Sequence, residues 1–334
     1  MLVDCSGVGE RTLSIGTLVR EVEQGKLANA CGCATPAARR SLREAPVTGL
    51  ISVILTTYQR EDALDAVLRA LVRQTDRAFE VMVADDGSGP PTRAVVERRA
   101  AHADVPIKHV WQEDRGFRLA EIRNRAIRAS SGTYCVILDG DCIPRPNFIA
   151  VHRRLAEPGW FVTGNRILMS RELTERVLAQ ASEVECFGLQ EWIALRRGGK
   201  INRLAPLLSL PLGPLRKLRT HAWRGARACN LAVWRRDLDR VDGFDASYNG
   251  WGLEDSDLLM RLLRAGFRRK DGNFATGVLH LWHPENDRSL LPENQRRLSE
   301  IEGADRVQSI VGLSALDAAE PSPASVQRAD RVSQ

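Results

Sequence analysis

The sequence predicts an α/β protein in one domain: a mostly parallel central sheet covered by helices on both faces. Three observations point there. Between residues 50 and 139, short apolar runs rich in β-branched residues alternate with stretches of helical periodicity, and strand–helix–strand order requires crossover connections. The apolar runs of that half repeatedly stop at a polar cluster, the layout of a sheet whose carboxyl edge carries a site. The 334 residues, 43% hydrophobic and 27% charged, suffice for a buried core and exclude a disordered or fibrous chain.

The elements follow in order. Leu50 to Leu55 is a continuous apolar run closed by Thr56-Thr57, as expected of a strand buried on both faces. From Glu61 to Gln74, Leu64, Val67, Leu68, Leu71 and Val72 recur at helical spacing. Phe79 to Ala84 is a second strand, ended by the turn signal Asp85-Asp86-Gly87-Ser88. Pro90-Pro91 opens a helix, where the missing N–H costs nothing. Ile107 to Trp111 is a strand, Leu119 to Ala129 a helix, and Tyr134 to Leu138 a strand stopping at Asp139-Gly140-Asp141. The second half is less regular. It has a strand at Trp160 to Thr163, mainly helix from Arg171 to Arg196, a strand beginning at Asn230, a helix from Glu254 to Ala265 and a final strand from Gly277 to Trp282. Residues 1–46 form an extension with one short helix, and from about Ser314 the composition predicts disorder.

Charge and cysteine content narrow the classes. Forty-eight basic against 42 acidic residues give +6, a balance suited to phosphate-bearing partners and not that of a dedicated nucleic-acid binder. No stretch is apolar enough to span a bilayer. The first twenty residues mix Asp4, Glu10 and Arg11 with apolar ones, unlike a secretory signal, so a cytoplasmic location is expected. Seven scattered cysteines suggest reduced thiols. Cys31-Gly32-Cys33 lacks the second pair that a zinc site needs.

Three clusters can carry chemistry. Asp139 and Asp141, one residue apart past an apolar strand, form either a hard oxygen site for Mn²⁺ or Mg²⁺ or a loop with two solvated acids. Tyr248 to Asp257 places Trp251 between Gly250 and Gly252, followed by Glu254, Asp255 and Asp257. The aromatic suits a sugar ring, while at least one acid serves the helix dipole. His280 and His283 end the last strand, in a chain with six histidines. They are either ordinary core or surface residues or ligands completing a metal site begun by Asp141.

Taken together, Ile51 to Tyr58, the Asp85-Asp86-Gly87-Ser88 turn, Asp139-Gly140-Asp141 and Gly250 to Asp255 resemble the family 2 nucleotide-sugar glycosyltransferases of the GT-A fold. The second half is similar to the branch with chondroitin-polymerase-like and β-1,4-galactosyltransferase-like enzymes, over roughly Val47 to Arg297. The resemblance implies a GT-A domain at 47–300, with a nucleotide-binding half (47–145) and an acceptor-binding half (146–300), before a partly disordered tail (301–334). It implies that Thr56, Tyr58, Arg60, Asp86, Arg123, Asn124 and Asp139 bind the nucleotide, and that Asp141, Asp139, His283 and His280 hold Mn²⁺ or Mg²⁺. Trp251, Gly252 and Glu254 would hold the acceptor and Asp255 would be the catalytic base. The implied activity is inverting transfer of a hexose, galactose or N-acetylgalactosamine favoured, from a UDP-sugar to a saccharide or lipid-linked acceptor. Leu253 stands where the galactosyltransferases often have glycine.

Competing readings fit less well. A haloacid-dehalogenase phosphatase carries Asp-x-Asp on its first strand, and a nucleotidyltransferase would need a phosphate-cradling Gly-rich loop where Gln59-Arg60-Glu61 stands. A basic nucleic-acid module would need aromatics near Arg196 to Arg219, where Leu and Pro dominate. That stretch either rests on an anionic membrane surface, leucines inward, or is a solvated loop.

Overall fold

Thr56, Asp85 and Asp139 meet at one edge of a single sheet because three parallel strands end together. A computed structural model describes residues 49–318 and 326–327. In it β1 (Ile51–Thr57) lies between β2 (Phe79–Asp85) and β4 (Tyr134–Asp139), with Thr57 opposite Asp85 and Thr56 opposite Asp139. β3 (Ile107–Trp111) joins β2 in parallel and places Trp111 opposite Asp85. Beyond β4 the direction reverses. β8 (Asn230–Trp234) is antiparallel to β4 and so starts at the same edge, and β6 (Trp160–Thr163) and β9 (Arg268–Asp271) follow outward. On the far side β11 (Val326–Gln327) pairs antiparallel with β3.

The alternation of side chains across the strands builds two cores. Val53, Leu55, Val81 and Val83 face one layer, and Ile54, Met82 and Ala84 face the other. Helix α1 (Glu61–Val72) seals the first layer with Leu64, Val67, Leu68 and Leu71, all fully buried, and packs beside α2 (Pro90–Ala101). Helix α3 (Leu119–Ala129) covers the second layer with Ala120, Ile122, Ala126 and Ile127. The crossover pattern thus yields the sheet that periodicity predicts.

A second sheet of three strands was not expected. β5 (Cys142–Pro144) leaves the main sheet directly after Asp141, β7 (Arg166–Leu168) follows β6, and β10 (Val278–His280) lies between them. The strand expected over 277–282 shortens to β10 and belongs here. Helices α4 (Phe148–Leu155), α5 (Arg171–Ala179) and α6 (Leu189–Arg197) surround it, a 3₁₀ turn at Val184–Cys186 breaking the helix expected from 171 to 196. Helix α7 (Arg235–Arg240) follows β8, and α8 (Glu254–Arg264) starts where predicted.

Described elements extend past the domain boundary placed at 300. Helix α9 (Leu291–Glu302) runs across the boundary placed at 300, and α10 (Leu313–Ala318) occupies the start of the stretch read as disordered. Arg306 donates to Asp245 and Asp257, and Leu313 is buried in the second core, so interactions compensate for weak composition. The expected N-terminal extension and its short helix lie outside the described residues. Among those residues the four cysteines are free, and no helix is long and apolar enough to cross a membrane.

Candidate active site

A buried arginine organises the carboxylates. Arg123 of α3 is 2% exposed and donates from Nη1 to Glu254 Oε1 (3.0 Å) and from Nη2 to Asp139 Oδ1 (2.9 Å), its guanidinium 5.1 Å from the Phe244 ring centre. Thr56 Oγ1 donates to the same Asp139 oxygen at 3.1 Å. Burial and the neighbouring Asp255 push the Glu254 carboxyl up to about 7, and the Arg123 contact opposes that rise. Gly140 makes the turn between the two acids. A Cβ there would stand 2.5 Å from the Thr56 carbonyl, to which the Gly140 N–H already donates, so the position requires glycine.

Asp141 faces two imidazoles. Its Oδ2 lies 3.6 Å from His280 Nε2 and 3.4 Å from His283 Nε2, and donor atoms of all three residues lie within 4.8 Å of one another. His283 Nδ1 is 2.6 Å from the Pro284 carbonyl. A carbonyl only accepts, so Nδ1 carries a proton, and Nε2 is the nitrogen turned to Asp141. Burial, only partly offset by Asp141, lowers the pKa of His280 and favours the neutral ring that can ligate. A carboxylate and two imidazoles whose Nε2 atoms lie toward it suit Mn²⁺ or a similar divalent ion. The sequence implied Asp139 as a ligand too, but its Oδ1 is taken by Arg123 and Thr56, and it groups with the Cys142 and Cys229 sulfurs.

The Trp251 loop borders the acids. Gly250 and Gly252 have φ of +72° and +104°, and Leu253, just before α8, has +79°. Asp255 accepts from the Ser256 N–H (2.7 Å) and from the Ala228 N–H next to β8 (3.3 Å), so it is tied to the edge that carries Asp139. The Arg288 guanidinium lies 5.0 Å from the Trp251 ring centre. Asn294 of α9, fully buried, donates to the carbonyls of Asn249 and Gly252. It escaped the sequence reading because nothing in its local pattern marks it.

The residues assigned to the nucleotide divide. Tyr58, 45% exposed, donates to Asp114. Asp86 is buried, and its oxygens accept from Gln112 Nε2 (2.6 Å) and the Arg118 N–H (2.8 Å). Gln112, unmarked by sequence, leaves its Oε1 buried without a partner. Arg60 turns to Asp62 at the start of α1. Asn124 is not free for a ligand: its amide donates to the Phe244 carbonyl (2.7 Å) and accepts from the Phe244 N–H (2.8 Å), clamping that loop to α3.

An α/β sheet edge that gathers a carboxylate–imidazole cluster beside an arginine-held pair of acids has the outline of a metal-assisted group-transfer enzyme. The comparisons make it specific. Residues 52–213 match the glycosyl transferase family 2 model, and residues 217–283 match the N-terminal domain of galactosyltransferase. The chain is 34% identical to validoxylamine A glucosyltransferase of Streptomyces hygroscopicus subsp. limoneus, over 64% of this chain and 48% of that protein. It is 30% identical to chondroitin synthase of Pasteurella multocida (strain Pm70), over 71% of this chain and 26% of that one. It therefore spans about half or less of these relatives. Among solved structures, the mannosyltransferase PcManGT from Pyrobaculum calidifontis in complex with GDP-Man and Mn²⁺ aligns with a TM-score of 0.47 at 19% identity, covering 83% of this chain and 78% of that one.

Proposed function

We propose that this chain transfers a hexose from a UDP-sugar to a hydroxyl of a saccharide or lipid-linked acceptor, with inversion at the anomeric carbon. The observation that carries the reading is the set Asp141, His280 and His283 sharing one sheet edge with Asp139, Glu254 and Asp255. A divalent ion held by Asp141, His280 and His283 would neutralise charge on the departing diphosphate. Asp255 takes the proton of the attacking hydroxyl, which is a poor nucleophile near neutral pH. One base opposite one leaving group gives a single displacement and hence inversion, with no second carboxylate needed as covalent nucleophile. Glu254, fixed by Arg123, orients acceptor hydroxyls, and Trp251 offers the ring a flat face. The match to a galactosyltransferase segment supports galactose or N-acetylgalactosamine, while the named relatives include a glucosyltransferase.

Asp255→Asn tests the base. Transfer should fall about 10²–10⁴-fold while the affinity for the nucleotide sugar stays near that of the parent, and turnover close to normal removes Asp255 from the role. The donor is identified by scoring release of nucleoside diphosphate from UDP-, GDP- and TDP-sugars with Mn²⁺.

A lipid-linked acceptor is favoured by one surface feature. Leu208, Leu210, Leu215 and Leu218 are 41–73% exposed in the loop that follows α6. Exposed Arg196, Arg197, Arg203 and Arg219 surround them, a composition suited to an anionic membrane. Three cations of that stretch are committed internally and are withdrawn from this role: Lys200 pairs with Glu172, Arg216 is buried against the carbonyls of Asp271, Asn273 and Leu210, and Lys217 pairs with Glu157. Replacing the four leucines by serine should abolish pelleting with anionic vesicles; equal pelleting excludes the contact.

A further inference from the structure

Arg166 opens β7 opposite Val278, and two residues on, Leu168 stands opposite His280. Residues in register share a face of the sheet, so Arg166 belongs to the face of His280 and Cys142, while Ile143, Ile167 and Leu279 are buried on the other. The other arginine at this edge, Arg123, is satisfied by two carboxylates. Arg166 is half-buried, yet its guanidinium has neither an ion pair nor a hydrogen bond among the described residues; only its backbone carbonyl is engaged, by Arg203. Burial opposes its charge, while the Asp139 and Asp141 carboxylates on its side favour it and shift its pKa upward. It therefore stands within electrostatic reach of the metal-ligand candidates without being neutralised by any of them.

That position is costly for a cation once a divalent ion takes up the Asp141 carboxylate, because Arg166 then faces a like charge across a partly desolvated gap. The arrangement becomes favourable when one anion presents oxygens to both. A diphosphate does this, and a guanidinium fork matches phosphate oxygens in pairs. We propose that Arg166 binds the distal phosphate of the nucleoside diphosphate portion of the donor, beside Asp141, His280 and His283. The assignment rests on the nucleotide-sugar reading of the same cleft and adds to it a residue that no sequence motif marks.

Equilibrium binding without turnover tests it. Calorimetry with Mn²⁺ compares UDP, GDP, UMP and GMP on the parent chain, Arg166→Ala and Arg166→Lys. Arg166→Ala should weaken the preferred nucleoside diphosphate at least about tenfold and leave the matching monophosphate within about twofold, with Arg166→Lys recovering part of the loss because charge returns without the fork. Unchanged diphosphate affinity in Arg166→Ala overturns the proposal, as does an equal loss for mono- and diphosphate, which would mark a structural role. Should Arg166→Ala not fold, Arg166→Gln keeps the side-chain length without charge and decides by the same comparison. A parent chain that binds none of these nucleotides overturns the nucleotide-sugar reading itself, and this assignment with it.

Discussion

Leu253 has a φ of +79° immediately before Glu254 and Asp255, a backbone state that costs an ordinary residue roughly 1–2 kcal/mol. Its side chain packs beside Met260, Leu298 and Ile301, which offsets part of that strain. The difference between Gly and Ala at this position isolates the backbone contribution, because both delete the packing. Leu253→Gly should be more stable than Leu253→Ala by about 1 kcal/mol, the reverse of their order within a helix. Denaturant unfolding of the two variants measures it, and equal stability would mean that the loop relaxes out of the left-handed region. The glycine that resembling enzymes often carry here thus meets a backbone need that this chain satisfies with leucine. Glu254 and Asp255, placed directly after a strained residue, hold their direction only while the surrounding loop is held.

Holding that loop falls to helix α9. Asn294 reaches from α9 to two carbonyls of the 249–252 turn, and neither carbonyl owner is near it in sequence. Asn294→Ala removes both donors and should cost about 1–3 kcal/mol of stability. It should also raise the acceptor KM more than it weakens nucleotide binding, a split that steady-state kinetics beside nucleotide titration would show. Its reach explains what sequence could and could not disclose. The strands β1, β2 and β4 were legible because each is a buried parallel strand of mainly apolar residues with a polar end, and β3, with Lys108 and His109 only partly buried, by its place in the strand–helix alternation. The three-residue strands β5 and β7 were not, since so short a strand has no period and is defined by partners far along the chain; β10 was expected within 277–282, but its two partners were not. His280 and His283 stood out as a pair by their spacing, but the Arg123–Glu254 contact joins residues 131 apart, which no window contains. Asn124 shows the converse: a motif position drew attention to it, yet its amide is spent on Phe244.

At the scale of the whole molecule, the metal-ligand candidates join two sheets. Asp141 lies between the end of β4 in the large sheet and the start of β5 in the small one, while His280 ends β10 and His283 follows. Buried apolar residues of both sheets, Val53 and Leu55 of the large one and Ile143, Ile167 and Leu279 of the small one, belong to one core, so the fold does not depend on an ion. A divalent ion held by Asp141 and both imidazoles would nevertheless bind only the folded arrangement and would stabilise it by mass action, by about 2.7 kcal/mol at a hundredfold excess over Kd. For a domain of this size that corresponds to a rise in Tm of several degrees. Thermal unfolding with and without Mn²⁺ should show the rise in the parent chain, and EDTA should reverse it without unfolding the protein. His283→Ala removes one of the three ligands while leaving both cores intact, so its Tm without metal should match the parent and its response to Mn²⁺ should largely vanish. An undiminished response in His283→Ala combined with its loss in His280→Ala would leave Asp141 and His280 as the principal pair. A full response in both variants would place the ion elsewhere, and with it the point at which the two sheets are coupled.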